Sequence, residues 1–142
     1  MMRRLKNFIK SERGDAIIAI PFTILIALIL FLVAVSIYQY STIKTNMKTA
    51  ANEVLQLVKV ENGADSSTRA KFNDLLTKMG MDPSLVTFQA TPKLVQRGDQ
   101  VEIVATREYN VFALKAIRVD YSVQIKVKTV GLAHKYIRDG GD

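Results

Sequence analysis

The chain has no cysteine and a single histidine, His134, among its 142 residues. The first absence excludes disulfides and thiolate metal sites, and the second excludes a multi-histidine metal centre within one chain. Without cysteine the redox compartment stays open, so an exported location is neither supported nor excluded. The seven glycines are scattered and form no G-x-x-x-x-G-K phosphate loop. Asp65, Asp74, Asp82 and Asp99 lack the spacing of a calcium loop. No internal repeat or low-complexity block is present. His134 stands near a strand end with no serine, cysteine or carboxylate pattern beside it, and reads as a surface or edge residue. We expect no enzymatic activity from this chain alone, no cofactor, no metal and no small-molecule substrate.

Charge is missing too, from one long stretch. Ala16 to Tyr38 is a run of 23 residues with no charged side chain, and 15 of them are Ile, Leu, Val or Phe. A helix of that length spans roughly 35 Å, slightly more than a hydrocarbon core. Its gross insertion energy is about −4 to −9 kcal/mol, so the segment enters a membrane. Of the net charge of +7, +3 falls on the 15 residues just before it and +4 is spread over residues 44–142. Residues 1–15 carry Arg3, Arg4, Lys6, Lys10 and Arg13 against Glu12 and Asp15; residues 44–142 are mixed in sign. After the run only Lys44 and Lys48 lie close. The positive-inside rule then places the leader, residues 1–14, in the cytoplasm and the C-terminal domain outside.

Three fates fit such a leader. It is kept as part of an anchor, or removed by secretory cleavage at Ala34-Val35-Ser36, or cut before the apolar run at Gly14. The run before Ala34 exceeds a usual signal-peptide core, which speaks against the second.

The helix continues past the membrane. Tyr40, Ile43, Met47, Ala50, Val54 and Leu57 recur at spacings of three and four, one face at heptad spacing, with Ala51 and Val58 widening it. No proline or glycine interrupts residues 22–62. Residues 15–60 therefore read as one helix, apolar all round at first and amphipathic later. Pro21 is tolerated if the helix begins close by and kinks it if the helix begins nearer Gly14. The amphipathic face packs on the chain's own domain, with contact to neighbouring subunits compatible. Asn62-Gly63 ends the helix, with glycine as the left-handed cap.

Residues 61–142 form a small domain. Ser66 or Ser67 caps a short helix whose apolar side is Phe72, Leu75, Leu76 and Met79, and Gly80 and Asp82-Pro83 stop it. Period-two alternation then predicts strands near 84–91, 94–97, 100–109 and 118–130. In the last, Val119, Tyr121, Val123, Ile125 and Val127 share the apolar face, and Gly131 shifts the phase before Leu132–Tyr136. The tail from Asp139 is expected to be mobile. The fold class is α+β: a long apolar helix, a short helix and an antiparallel sheet of three to four strands.

Arg97-Gly98-Asp99 spells an adhesion tripeptide, yet it falls where a hairpin needs a glycine turn, and the turn reading prevails. Tyr109, Phe112, Tyr121 and Tyr136 with Arg107, Lys115 and Arg118 suggest a stacking surface for single strands. Alternation puts Tyr121 in the core instead, and no nucleic-acid partner is required.

The segment SERGDAIIAIPFTILIALILF resembles the N-termini of type IV pilin-like proteins, and among them the TadE-like minor pilins: a basic leader, an E-R-G motif, then an uninterrupted apolar helix. The rest resembles a pilin-like family of Gram-positive bacteria in which that helix runs into a reduced sheet domain. The resemblance implies cleavage by a prepilin peptidase between Gly14 and Asp15, and extraction from membrane lipid by assembly machinery. It also implies polymerisation with copies of itself or other pilin subunits through Ile17, Ile20, Phe22, Leu25, Leu28, Phe31, Leu32 and Val35. Pilins usually carry glutamate at the fifth mature position, where this chain has Ala19. That departure keeps a second reading open, a membrane-anchored binding module that never polymerises. A third is an adhesin or DNA-uptake tip using Lys126 and Lys128.

Overall fold

A computed structural model describes residues 12–136. Residues 1–11 of the basic leader and the tail expected to be mobile lie outside the described residues.

Helix α1, Glu12–Glu61, runs for 50 residues, about 75 Å. It begins ahead of the expected position 15. Pro21 consequently sits in its interior and has no N–H to offer the carbonyl of Ile17. Its C-terminus is closed by Asn62 rather than by glycine: Asn62 takes the left-handed conformation, φ 55°. Gly63 N–H then reaches back to the Val58 carbonyl at 3.0 Å. That is a Schellman closure, with the asparagine in the position glycine usually fills. Gly63 is required for space, because a Cβ there would overlap the Pro92 carbonyl oxygen and the Lys93 Cα.

Helix α2, Ser66–Lys78, is capped by Asp65, one residue before the expected serine. Its carboxylate accepts the N–H groups of Ser67 and Thr68, while the Thr68 hydroxyl accepts the Asp65 N–H at 3.0 Å. Gly80, φ 74°, closes its far end, and Met81 N–H bonds the Leu76 carbonyl. A 3-10 turn, Pro83–Leu85, leads into strand β1, Val86–Ala90. Strand β2 is Gln100–Asn110, helix α3 is Phe112–Lys115 and strand β3 is Ser122–Leu132. The sheet is antiparallel, in the order β1-β2-β3, with Phe88 opposite Ala105 and Ala105 opposite Val127.

The second half of α1 covers one face of this sheet and α2 packs on α1 beside it, reaching the sheet at Phe88; the other face is open. Met47, Ala50, Val54, Val58, Phe72, Leu76, Ile103 and Ile125 are fully buried between them. Phe72 meets Phe88 with ring centroids 4.7 Å apart. This is the expected α+β architecture.

Three sequence expectations are corrected. Residues 94–97 are not a strand. Leu94 is left-handed, φ 77°, and Val95 bonds the Asn62 backbone at 3.2 Å, so its hydrogen bonds go to a helix end rather than to a ladder. Tyr121 and Val119 are exposed, outside the core. Pairing ends at Asn110 with Ser122, and alternation beyond that point has no partner strand. Gly131 does not shift the phase, since Ile125, Val127, Thr129, Gly131 and Ala133 all keep to the inner face. At Gly131 the stem of Lys59 lies across the strand, where a Cβ would meet it at 2.7 Å. Arg97-Gly98-Asp99 is a turn, with the Asp99 N–H on the Gln96 carbonyl at 3.0 Å, but it joins no hairpin, since no strand precedes it at 94–97.

Candidate functional site

The first half of α1 is the element most exposed relative to its chemistry. Every residue from Ile17 to Phe31 is exposed. Ile17, Ile20, Phe22, Leu25, Leu28 and Phe31 are 51–72% exposed and face every direction around the helix. The best 18-residue window has mean hydropathy 3.1 and none of it is buried, unlike a core helix of a soluble protein. This helix is long and apolar enough to cross a membrane near the N-terminus. Gly14 and Asp15 lie in its first turn, on helical backbone.

Leu32 and Val35 differ from the rest of that set. They are half-buried, and Ser36 is buried, because the domain reaches back to them. Ser36 is a hinge point of hydrogen bonding. Its hydroxyl donates to the Leu32 carbonyl at 3.0 Å and accepts the Ala113 N–H at 2.9 Å. The Tyr109 hydroxyl lies 2.9 Å from Gln39 Oε1 and 3.2 Å from the Ser36 carbonyl oxygen. Tyr109 also packs edge-on against Tyr40, centroids 6.2 Å apart. Ala34-Val35-Ser36, considered as a cleavage site in sequence, is therefore continuous helix packed on the domain. Nothing in the sequence links Ser36 to Ala113; a lone hydroxyl in an apolar helix ordinarily bonds only its own preceding turn.

Farther along α1, Tyr40 and Ile43 are half-buried against the core, and Met47, Ala50 and Val54 are fully buried. Leu57 is only half-buried. Val58 and Leu55 take its place, at 0% and 6% exposure. A straight helix drifts about 20° per heptad from a 3.5-residue repeat, so a face laid on a sheet moves from position 57 towards 58.

The far end of α1 is tied down by residues that sequence reasoning used only as a stop signal. Asn62 is fully buried. Its amide nitrogen donates to the carbonyls of Val95, at 2.8 Å, and Lys135. Its Oδ1 accepts the Lys135 N–H at 2.8 Å. Lys93 adds an ion pair to Asp65 at 2.5 Å and a longer one to Glu61 at 3.7 Å. The Lys93 ammonium, then Ser67 and Thr68, hold the Asp65 carboxyl well below the ordinary 3.8, and Asp65 raises Lys93 in return.

A groove of about 800 Å³ lies between α1 and the sheet, lined by Tyr38, Gln39, Ile43, Arg107, Glu108 and Tyr109 among others. It brings together no paired carboxylates and no nucleophile with a base. Among the described residues no group of three or more His, Cys, Asp or Glu is placed to hold a metal ion. Lys128 pairs with Glu102 at 2.8 Å on the open sheet face, which halves the local positive charge that Lys126 and Lys128 present.

A family model described as "Domain of unknown function (DUF4320)" matches residues 24–138. The match begins inside the apolar run, beyond the E-R-G segment. No curated protein and no solved structure matches the chain.

Proposed function

The chain belongs to the DUF4320 family, and from its own architecture we propose that it is a structural subunit, a pilin or minor pseudopilin, of a type IV or Tad-like filament. One observation carries the reading. A single 50-residue helix is exposed and apolar on every side from Ile17 through Phe31, and its second half is packed into a small α+β domain. Such a helix needs lipid around it before assembly and other apolar helices around it afterwards. Leaving lipid is uphill unless that surface is reburied, at about 25 cal/mol per Å². Packing Ile17–Tyr38 against the same helix of neighbouring subunits reburies it. The basic leader keeps the N-terminus inside and the domain outside. A prepilin peptidase then cuts between Gly14 and Asp15, and assembly machinery extracts the helix.

Ala19, in the position where pilins usually carry glutamate, favours a second reading, a non-polymerising anchored module with an extracytoplasmic domain. N-terminal sequencing and crosslinking of the protein in its native membrane separate the two. A start at Asp15 with a ladder of crosslinked copies is expected for the subunit, and Leu28→Lys should abolish the ladder. A start at Met1 with no ladder is the result expected of the anchored module and overturns the filament reading.

A further inference from the structure

We propose that the β2–β3 connection, residues 111–121, is a second membrane contact, seated in the lipid interface beside α1. The proposal rests on the membrane-spanning reading of α1. The sheet lies along the helix. At one end the His134 N–H bonds the Lys59 carbonyl at 2.9 Å, and at the other the Ala113 N–H bonds the Ser36 hydroxyl at 2.9 Å. From Ser36 to Lys59 the helix rises about 35 Å, and the 11 residues of β2 extend about 36 Å. The lengths agree, so the β2–β3 connection is the end of the domain nearest the apolar half of α1.

Its depth follows from the same helix. Ile17 to Ser36 covers about 30 Å, the thickness of a hydrocarbon core. The first charged side chain after the apolar run is Lys44, about two turns beyond Ser36. A segment bonded to Ser36 therefore meets the outer edge of the apolar layer, below the level where charge begins.

Its composition suits that place. Among the described residues, ten large hydrophobics beyond Tyr38 are exposed, and four of them, Phe112, Ile117, Val119 and Tyr121, fall within this one connection. Lys115 and Arg118 stand among them, and Asp120 is the single acid. Apolar side chains that enter the acyl boundary, with long cations whose stems follow them while their heads reach the headgroups, make an interfacial anchor. The connection is held closed by the Val111 N–H on the Tyr121 carbonyl at 3.0 Å, so it is presented as a formed turn rather than a loose loop.

The chain has no tryptophan, so one introduced residue reports alone. Ile117→Trp, Leu94→Trp and Leu28→Trp are made in the full chain. Each is reconstituted in phosphatidylcholine–phosphatidylglycerol vesicles with acyl chains brominated or not. Ile117 is 65% exposed and Leu94 80%, so both sites accept the larger ring. We expect Leu28→Trp to be strongly quenched by bromine and Ile117→Trp to be quenched severalfold more than Leu94→Trp. Quenching at 28 with 117 no different from 94 overturns the second contact and leaves the anchor standing. No quenching at 28 overturns the anchor and this proposal with it. A blue shift at 117 that ignores bromine and grows with protein density overturns the lipid contact in favour of one between copies of the chain.

Discussion

Replacing Asn62, itself fully buried, by alanine leaves the Val95 carbonyl and both backbone groups of Lys135 without their side-chain partner. It also puts alanine at φ 55°, which an asparagine tolerates better. The expected loss is about 3 kcal/mol, read as a shift in the denaturant midpoint of the full chain in detergent. Ser36→Ala removes the acceptor of the Ala113 N–H, and should raise hydrogen exchange across residues 111–121 while leaving the far end of the sheet protected. Asp65 sets an acid limit. Its folded pKa is depressed, so its contribution is complete above the ordinary value of 3.8 and is lost as pH falls below it. Lys93, with a raised pKa, contributes fully below 10.5 and loses its part only as pH rises past that value. Asp65→Asn should therefore flatten the acid limb of stability against pH and leave the neutral region of the curve sloped as before. Asn62 was legible as a helix stop because its type favours left-handed backbone. Its role as a clamp was not, because its partners are 33 and 73 residues away.

At the scale of the element, α1 obeys two environments in one unbroken helix. The contrast between Leu57 and Val58 tests which repeat governs its packed half. Val58→Asp buries a charge with no partner and should unfold the domain, whereas Leu57→Asp should cost about 1 kcal/mol or less, both measured by the circular dichroism of the full chain. A larger cost at 57 than at 58 would mean that the heptad face, and not the 3.6-residue face, meets the sheet. Phe72→Ala on α2 should cost about 3–5 kcal/mol, because a fully buried ring against Phe88 leaves a cavity. Helices α1 and α2 were legible from the spacing of their apolar residues, with each cap displaced by one residue, and β2 and the inner face of β3 from alternation; the short α3 gave no such signal. The ends of the strands were not. Alternation in Val119 and Tyr121 reports what a strand would do, and only the register shows that β2 has ended at Asn110.

For the whole molecule the decisive quantity is unburied apolar surface. Eleven large hydrophobics between Ile17 and Phe31 remain exposed. Their burial is worth on the order of 15–30 kcal/mol, more than the 5–15 kcal/mol that holds a typical domain together. The full chain should therefore leave aqueous solution on removal of detergent, and recover in vesicles as a protein resistant to alkaline extraction. Extraction by alkali alone would refute membrane insertion. The sequence by itself determined this much: an uncharged run of 23 residues dictates an apolar environment, and the following periodicities dictate a helix and then a sheet. Those are local properties, set by the side chains of a continuous segment. Only the tertiary structure decided where the domain meets the apolar helix, at Ser36, and that residues 111–121 stand at the end of the domain nearest the apolar half of α1. Both depend on pairs more than seventy residues apart, whose contact follows from the matching lengths of strand and helix and from no feature of either segment alone.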